Sequence, residues 1–174
     1  ATSSMVTALT NGAREISPVS EIADAVALRQ ARPDLLLAGE RYGLRILRDQ
    51  TGCVDFDLGN SPREFTRERV SGRCLAMTTT NGTRALQACQ GARRVLVGSF
   101  LNLGAVATWL AHARVDDLVV VCSGTHEEAA YEDILGAGAL CYAVWAQFAG
   151  GGVSDSAQVA REIYRSEEYT SELQ

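Results

Sequence analysis

The chain alternates short, wholly apolar runs with longer stretches in which apolar residues recur every three or four positions. The first have strand length and the second have helix length. Thr2–Thr10 carries the longer period and stops at Asn11-Gly12, a usual helix terminator. Residues 15–19 form a short strand. Ser20 is placed to cap a helix reaching Ala31, with Ile22, Ala25, Val26 and Leu28 on its apolar side. Pro33-Asp34 turns into a continuous apolar run at 35–38, and residues 42–65 are irregular, with Gly, Asp, Asn and Pro. Strands are then expected at 73–77, 95–98 and 118–122, and helices at 81–89, 102–113, 132–148 and 154–164. Leu118-Val119-Val120-Val121 is the strongest strand signal, because a parallel strand covered on both faces shows no polar alternation. Strands alternating with helices predict an α/β fold, a three-layer α/β sandwich with a mostly parallel sheet. Residues 1–164 are expected to form one domain, itself incomplete.

Composition narrows the function classes. The 174 residues are 47% hydrophobic and 21% charged, an ordinary globular balance. Net charge is -5, which argues against nucleic acid as a partner. All 16 basic residues are arginines, so lysine Schiff bases and a lysine-dependent phosphate loop are excluded. Five cysteines with no C-x-x-C spacing fit a reducing cytoplasm better than a disulfide framework. Two histidines are too few for a histidine-built zinc site. His126 is an acid or base candidate, and His112 lies near a helix end. Residues 134–153 carry no charge, but acids flank them and glycines interrupt them, so a central buried helix is expected rather than a membrane span. Residues 165–174 are expected to be a non-native tail, resembling a translated adapter sequence.

Polar residues collect after the strands. Gly39-Glu40-Arg41 follows the second strand and Thr78-Thr79-Thr80-Asn81-Gly82-Thr83 follows the third. Gly98-Ser99-Phe100-Leu101-Asn102 and Ser123-Gly124-Thr125 follow the last two. In a parallel sheet these turns share the carboxyl rim, where ligands of open α/β sheets bind. The threonine run with Asn81 and Gly82 is either a helix cap and turn or an anion cradle; three companion turns favour the cradle. Glu40 beside Arg41 suits a metal and an anion, or a surface ion pair. Glu132 and Asp133 suit a helix dipole, or supply oxygen ligands to Mg²⁺. Asn60 and Ser61, before Pro62, lie in a long loop of the kind that borders sites.

These motifs, in this order, resemble the 2-phosphosulfolactate phosphatase family. Asn60-Ser61-Pro62 followed by Thr79-Thr80-Asn81-Gly82-Thr83 carries most of the resemblance, with Ala1-Thr2-Ser3-Ser4, Gly39-Glu40-Arg41 and Glu132-Asp133-Ile134-Leu135-Gly136 in support. The resemblance implies an α/β fold and a Mg²⁺-dependent release of phosphate from 2-phospho-3-sulfolactate, a step of coenzyme M biosynthesis. It also implies a domain truncated at both ends.

The expected activity is therefore Mg²⁺-dependent hydrolysis of a small phosphorylated sulfonate or carboxylate. Arg41, Asn81 and Asp133 are the catalytic candidates, and Glu40, Glu132 and Asp133 the metal candidates. Asn60, Ser61, Thr79, Thr80, Gly82, Thr83, Ser99, Asn102, Ser123 and Thr125 are the substrate-binding candidates. The rival expectation is a non-catalytic module that binds a phosphorylated metabolite with the same rim. No membrane or nucleic-acid partner is expected, and a homo-oligomer is allowed.

Overall fold

Four strands of the first half pair into one sheet. The computed structural model describes residues 1–125 and 128–171, and the chain divides into two compact units, Ala1–Val97 and Gly98–Gln174. The first holds α1 (Thr2–Thr10), β1 (Glu15–Pro18), α2 (Ile22–Ala31), β2 (Leu36–Arg41), β3 (Leu44–Arg45), α3 (Arg48–Thr51), α4 (Arg67–Val70), β4 (Cys74–Thr78) and α5 (Gly82–Ala88), with a 3-10 turn at Pro62–Glu64. Sheet order is β1-β4-β2-β3. β4 runs parallel to β1 and β2, and β3 folds back antiparallel on β2. The fold is α/β, with a mostly parallel sheet flanked by helices.

Side-chain alternation sorts the sheet residues into two cores. Leu75, Met77 and Ala38 meet Met5 and Ala8 of α1 and the loop residues Leu58 and Phe65. Cys74, Ala76 and Leu37 meet Ala25 of α2 with Ile46 and Phe56. Register enforces this, since Leu37 pairs with Ala76 and Ala38 with Met77. Every residue of β4 is buried, as a parallel strand covered on both faces must be. The 42–65 stretch contributes more to these cores than its composition promised. Phe56 and Leu58 are buried, and Leu58 bridges β2 in parallel at Ala38.

The second unit holds α6 (Leu103–Ala113), α7 (Tyr131–Phe148) and α8 (Asp155–Ser171). Val106 and Leu110 of α6 pack on Val144 of α7. α7 lies close enough to α8 that a Cβ on Gly138 would stand 2.1 Å from the Ala160 carbonyl oxygen. α8 continues into the stretch expected to be a non-native tail.

Two sequence expectations are corrected here. Residues 95–98 and 118–122 take no regular secondary structure and belong to no ladder. Val119 is 82% exposed. An apolar run states a need for cover, whereas a strand also needs a neighbour to hydrogen-bond, and no described strand pairs with either segment. The uncharged stretch 134–153 is likewise not buried all round. α7 buries Gly138, Ala139, Cys141 and Val144 but exposes Tyr142. No helix among the described residues is long and apolar enough to cross a membrane.

Candidate functional site

β2 and β4 run in the same direction, so Glu40-Arg41 and Thr78 emerge at one edge of the first unit. Gly39 permits the approach. A Cβ there would lie 1.9 Å from the Thr78 carbonyl oxygen, and its φ of +150 disfavours other residues.

Glu40 is only 9% exposed, and both its carboxylate oxygens are engaged. Oε1 accepts from the Thr80 amide at 2.7 Å. Oε2 accepts from the Thr80 hydroxyl at 3.1 Å and the Gly43 amide at 2.9 Å. Burial by itself pushes this carboxyl up. The two amides, the hydroxyl and the nearby Arg41 charge outweigh burial and hold it below the ordinary glutamate value.

Arg41 donates from Nη1 to the Glu40 carbonyl at 2.9 Å, and from Nη2 to the Ser20 carbonyl and the Thr78 hydroxyl, each at 2.9 Å. All three acceptors are neutral, so the guanidinium is fixed at the rim while its charge stays uncancelled by direct pairing. The surface ion pair weighed for Glu40 and Arg41 is absent from the salt bridges of the described residues. A hollow of 590 Å³ between α2 and α3 is lined in part by Arg41, Ile22, Val26 and Gln50, but by no residue of the threonine loop.

The threonine loop closes on itself. The Thr79 amide donates to the Thr83 hydroxyl at 3.0 Å, and the Thr83 amide donates to the Thr79 hydroxyl at 3.1 Å. The Thr83 hydroxyl in turn donates to the Thr79 carbonyl at 3.0 Å. Both side chains are buried. Thr79 and Thr83 thus shape the loop, and Thr80 is held by Glu40. Asn81 occupies the N-cap position of α5, but its side chain makes no capping bond, so the plain capping reading does not describe it. No hydrogen bond of the described residues uses the amides of Asn81 or Gly82. Gly82 packs against the start of α1, where a Cβ would meet that of Ala1 at 2.4 Å.

Asn60 and Ser61 border the same unit. The Ser4 hydroxyl donates to the Asn60 carbonyl at 2.6 Å. Asn60 Oδ1 is buried and has no partner. Ser61 precedes the Pro62 turn without capping it through its side chain. Asp57 is structural, receiving Arg29 at 2.7 Å and the Leu37 amide at 2.8 Å.

The remaining candidates lie in the second unit. Asn102 Oδ1 accepts from the Ser99 amide at 2.8 Å, at the N-terminus of α6. Asp133 Oδ2 accepts from the Ser123 hydroxyl at 3.1 Å and the Gly124 amide at 2.8 Å. Thr125 exchanges both backbone bonds with Glu128. Glu132 is exposed in the first turn of α7. His126 lies outside the described residues. His112 Nδ1 contacts the Thr108 carbonyl at 2.7 Å in the last turn of α6, as its position near a helix end led one to expect. Glu40, Arg41, Thr79, Thr80, Asn81, Gly82 and Thr83 are therefore brought together in one unit, and Ser123 and Asp133 in the other. Among the described residues no three His, Cys, Asp or Glu side chains gather as a metal cluster.

Two participants were not singled out from the sequence. The Ser20 carbonyl anchors Arg41 and Thr78, and the Gly43 amide binds Glu40. Backbone groups leave no side-chain signature. The Tyr42-Gly43 dipeptide, with φ of 54 and 78, was the one readable hint of a tight hairpin there.

Comparison with known proteins places the chain among sequence relatives. The profile described as 2-phosphosulpholactate phosphatase matches residues 1–174. A protein of Caldicellulosiruptor saccharolyticus named "Probable 2-phosphosulfolactate phosphatase" is 42% identical over 79% of this chain and 56% of its own length. Proteins of the same name from Caldanaerobacter subterraneus and Clostridium acetobutylicum are 44% and 37% identical, over 80% and 97% of this chain. The chain spans 56% and 68% of those two relatives.

Proposed function

The chain belongs to the 2-phosphosulfolactate phosphatase family, and on that premise we propose that it hydrolyses a small phosphorylated sulfonate or carboxylate, with 2-phospho-3-sulfolactate as the first substrate to test. Water and the phosphate ester would give 3-sulfolactate and inorganic phosphate. The observation that carries this reading is the threonine loop. Its hydroxyls are used to hold the loop, and the Asn81 and Gly82 amides, with the Asn81 side chain, are left as donors at the start of α5. Donors fixed in advance stabilise charge on a transferring phosphoryl group without reorganising. Arg41 adds a positive charge held by neutral partners. Asn60 and Ser61 remain binding candidates in the first unit, and Ser99, Asn102, Ser123 and Thr125 in the second.

Mg²⁺ dependence belongs to the same proposal. Mg²⁺ commonly takes one or two protein carboxylates, keeps water and is completed by substrate phosphate, so it does not demand a three-acid cluster. Asp133 fits, since both hydrogen bonds to its carboxylate go to Oδ2, and Glu132 is the adjacent acid. When bound, the ion would supply positive charge beside Asp133. In the second unit the chain's own part is to orient Asp133 through Ser123 and Gly124; in the first it is to hold the phosphate at the loop. A cytoplasmic setting is proposed from five unpaired cysteines.

The deciding experiment measures phosphate release from 2-phospho-3-sulfolactate by the purified chain with Mg²⁺. Binding without release would establish the rival module.

A further inference from the structure

Its place at a strand end makes Glu40 a metal candidate, yet three protein donors already converge on its carboxylate. The Thr80 amide reaches it at 2.7 Å, the Thr80 hydroxyl at 3.1 Å and the Gly43 amide at 2.9 Å. An ionised carboxylate has about four lone-pair directions, so little of it is left for an ion. The same group joins two pieces of backbone that the sheet alone does not connect. One is the turn between β2 and β3. The other is the loop leaving β4, at the residue just before Asn81 and Gly82. Charge-assisted bonds of this kind are roughly twice as strong as neutral ones. The group is nearly buried, so water competes little for them.

We propose that Glu40 is a positioning residue, whose carboxylate clamps Thr80 to the 42–43 turn and thereby sets the Asn81 and Gly82 amides for an oxyanion. The proposal rests on the reading of the threonine loop as a phosphate cradle. Thr80 then serves the site by being held, and its hydroxyl does not contact substrate. Glu40 touches neither phosphate nor metal.

The test uses the 174-residue chain with Glu40→Gln, Thr80→Val and the double variant, with inorganic phosphate as the probe and Mg²⁺ present. Gln keeps the shape but turns an amide donor toward donors. Amide hydrogen exchange at Thr80 and Gly43 should quicken in Glu40→Gln by about tenfold or more, while Leu75 and Ala76 stay protected. Phosphate affinity should fall by about ten- to a hundredfold with half-saturating Mg²⁺ unchanged. Thr80→Val keeps the backbone amide and should lose affinity only severalfold, roughly one neutral bond's worth. The double variant should lose less than the two losses multiplied, because the hydroxyl's partner is Glu40. Unchanged exchange at Thr80 and Gly43, or unchanged phosphate affinity, overturns the clamp. So does a loss of affinity that excess Mg²⁺ fully restores, since that is the behaviour of a metal ligand. Should Glu40→Gln fail to fold, Thr80→Val decides, and wild-type affinity in it overturns the proposal. Wild-type protein that takes up no phosphate sinks the cradle and the clamp together. Equal binding by wild type and variant sinks the clamp alone.

Discussion

Asn81 is the residue on which the chemistry can be tested most directly. It sits at the N-cap of α5 without capping through its side chain, so Asn81→Ala removes a donor and leaves the helix start intact. Loss of one preorganised donor should lower kcat by about ten- to a thousandfold. If Asn81 only positions substrate, KM rises while kcat holds, and steady-state kinetics separate the two. Glu40 makes a second prediction through acid. Its folded carboxyl is depressed below the ordinary value of 4.5, so its contribution is present above that value. The contribution is lost as pH falls through the depressed value. Denaturant unfolding of the metal-free chain should therefore show stability falling with acid below that value, and a flatter acid limb in Glu40→Gln. Identical limbs would mean the three bonds to Glu40 contribute nothing to stability.

At the scale of elements, β4 and the 118–122 segment look alike in sequence and differ in structure. Both are runs of consecutive apolar residues. β4 has a neighbour on each side, β1 and β2, and helices on both faces. The other segment pairs with no described strand; Leu118 packs on the α6–α7 cluster, while Val119 lies open. Their substitutions should separate accordingly. Leu75→Ala should cost about 2–5 kcal/mol, the range for emptying a packed core site. Val119→Thr should stay within about 0.5 kcal/mol, as exposed changes do. Thermal unfolding of both variants checks the pair. A large loss from Val119→Thr would show that the segment is covered in solution.

The proposed metal dependence is tested at the scale of the whole molecule. Excess chelator should abolish phosphate release, and added Mg²⁺ should restore it. Asp133→Asn should raise the Mg²⁺ needed for half-maximal rate, because it removes a ligand charge while keeping the acceptor for Ser123 and Gly124. Full turnover in chelator would leave Asp133 with the ordinary work of an acid at a helix N-terminus. These assays also test how far a chain spanning 56% of its first relatives carries their chemistry.

Local pattern was enough to place α1, β1, α2, β4 and α6 within a residue or two, because each is set by apolar period and punctuated by Gly, Asn or Pro. The residues at the ends of β2 and β4 were legible for a related reason: parallel strands bring their carboxyl ends, and the turns leaving them, to one edge. The roles within that rim were not legible. Thr79, Thr80 and Thr83 offer the same hydroxyl in sequence. Only the approach of Glu40, and the reciprocal bonds between Thr79 and Thr83, decide which donors hold the loop and which remain for a ligand. The 95–98 and 118–122 runs mark the same limit at the level of the sheet. The chain's hydrophobicity specifies what should be covered, but hydrogen-bond partners distant in sequence decide whether an extended segment becomes a strand.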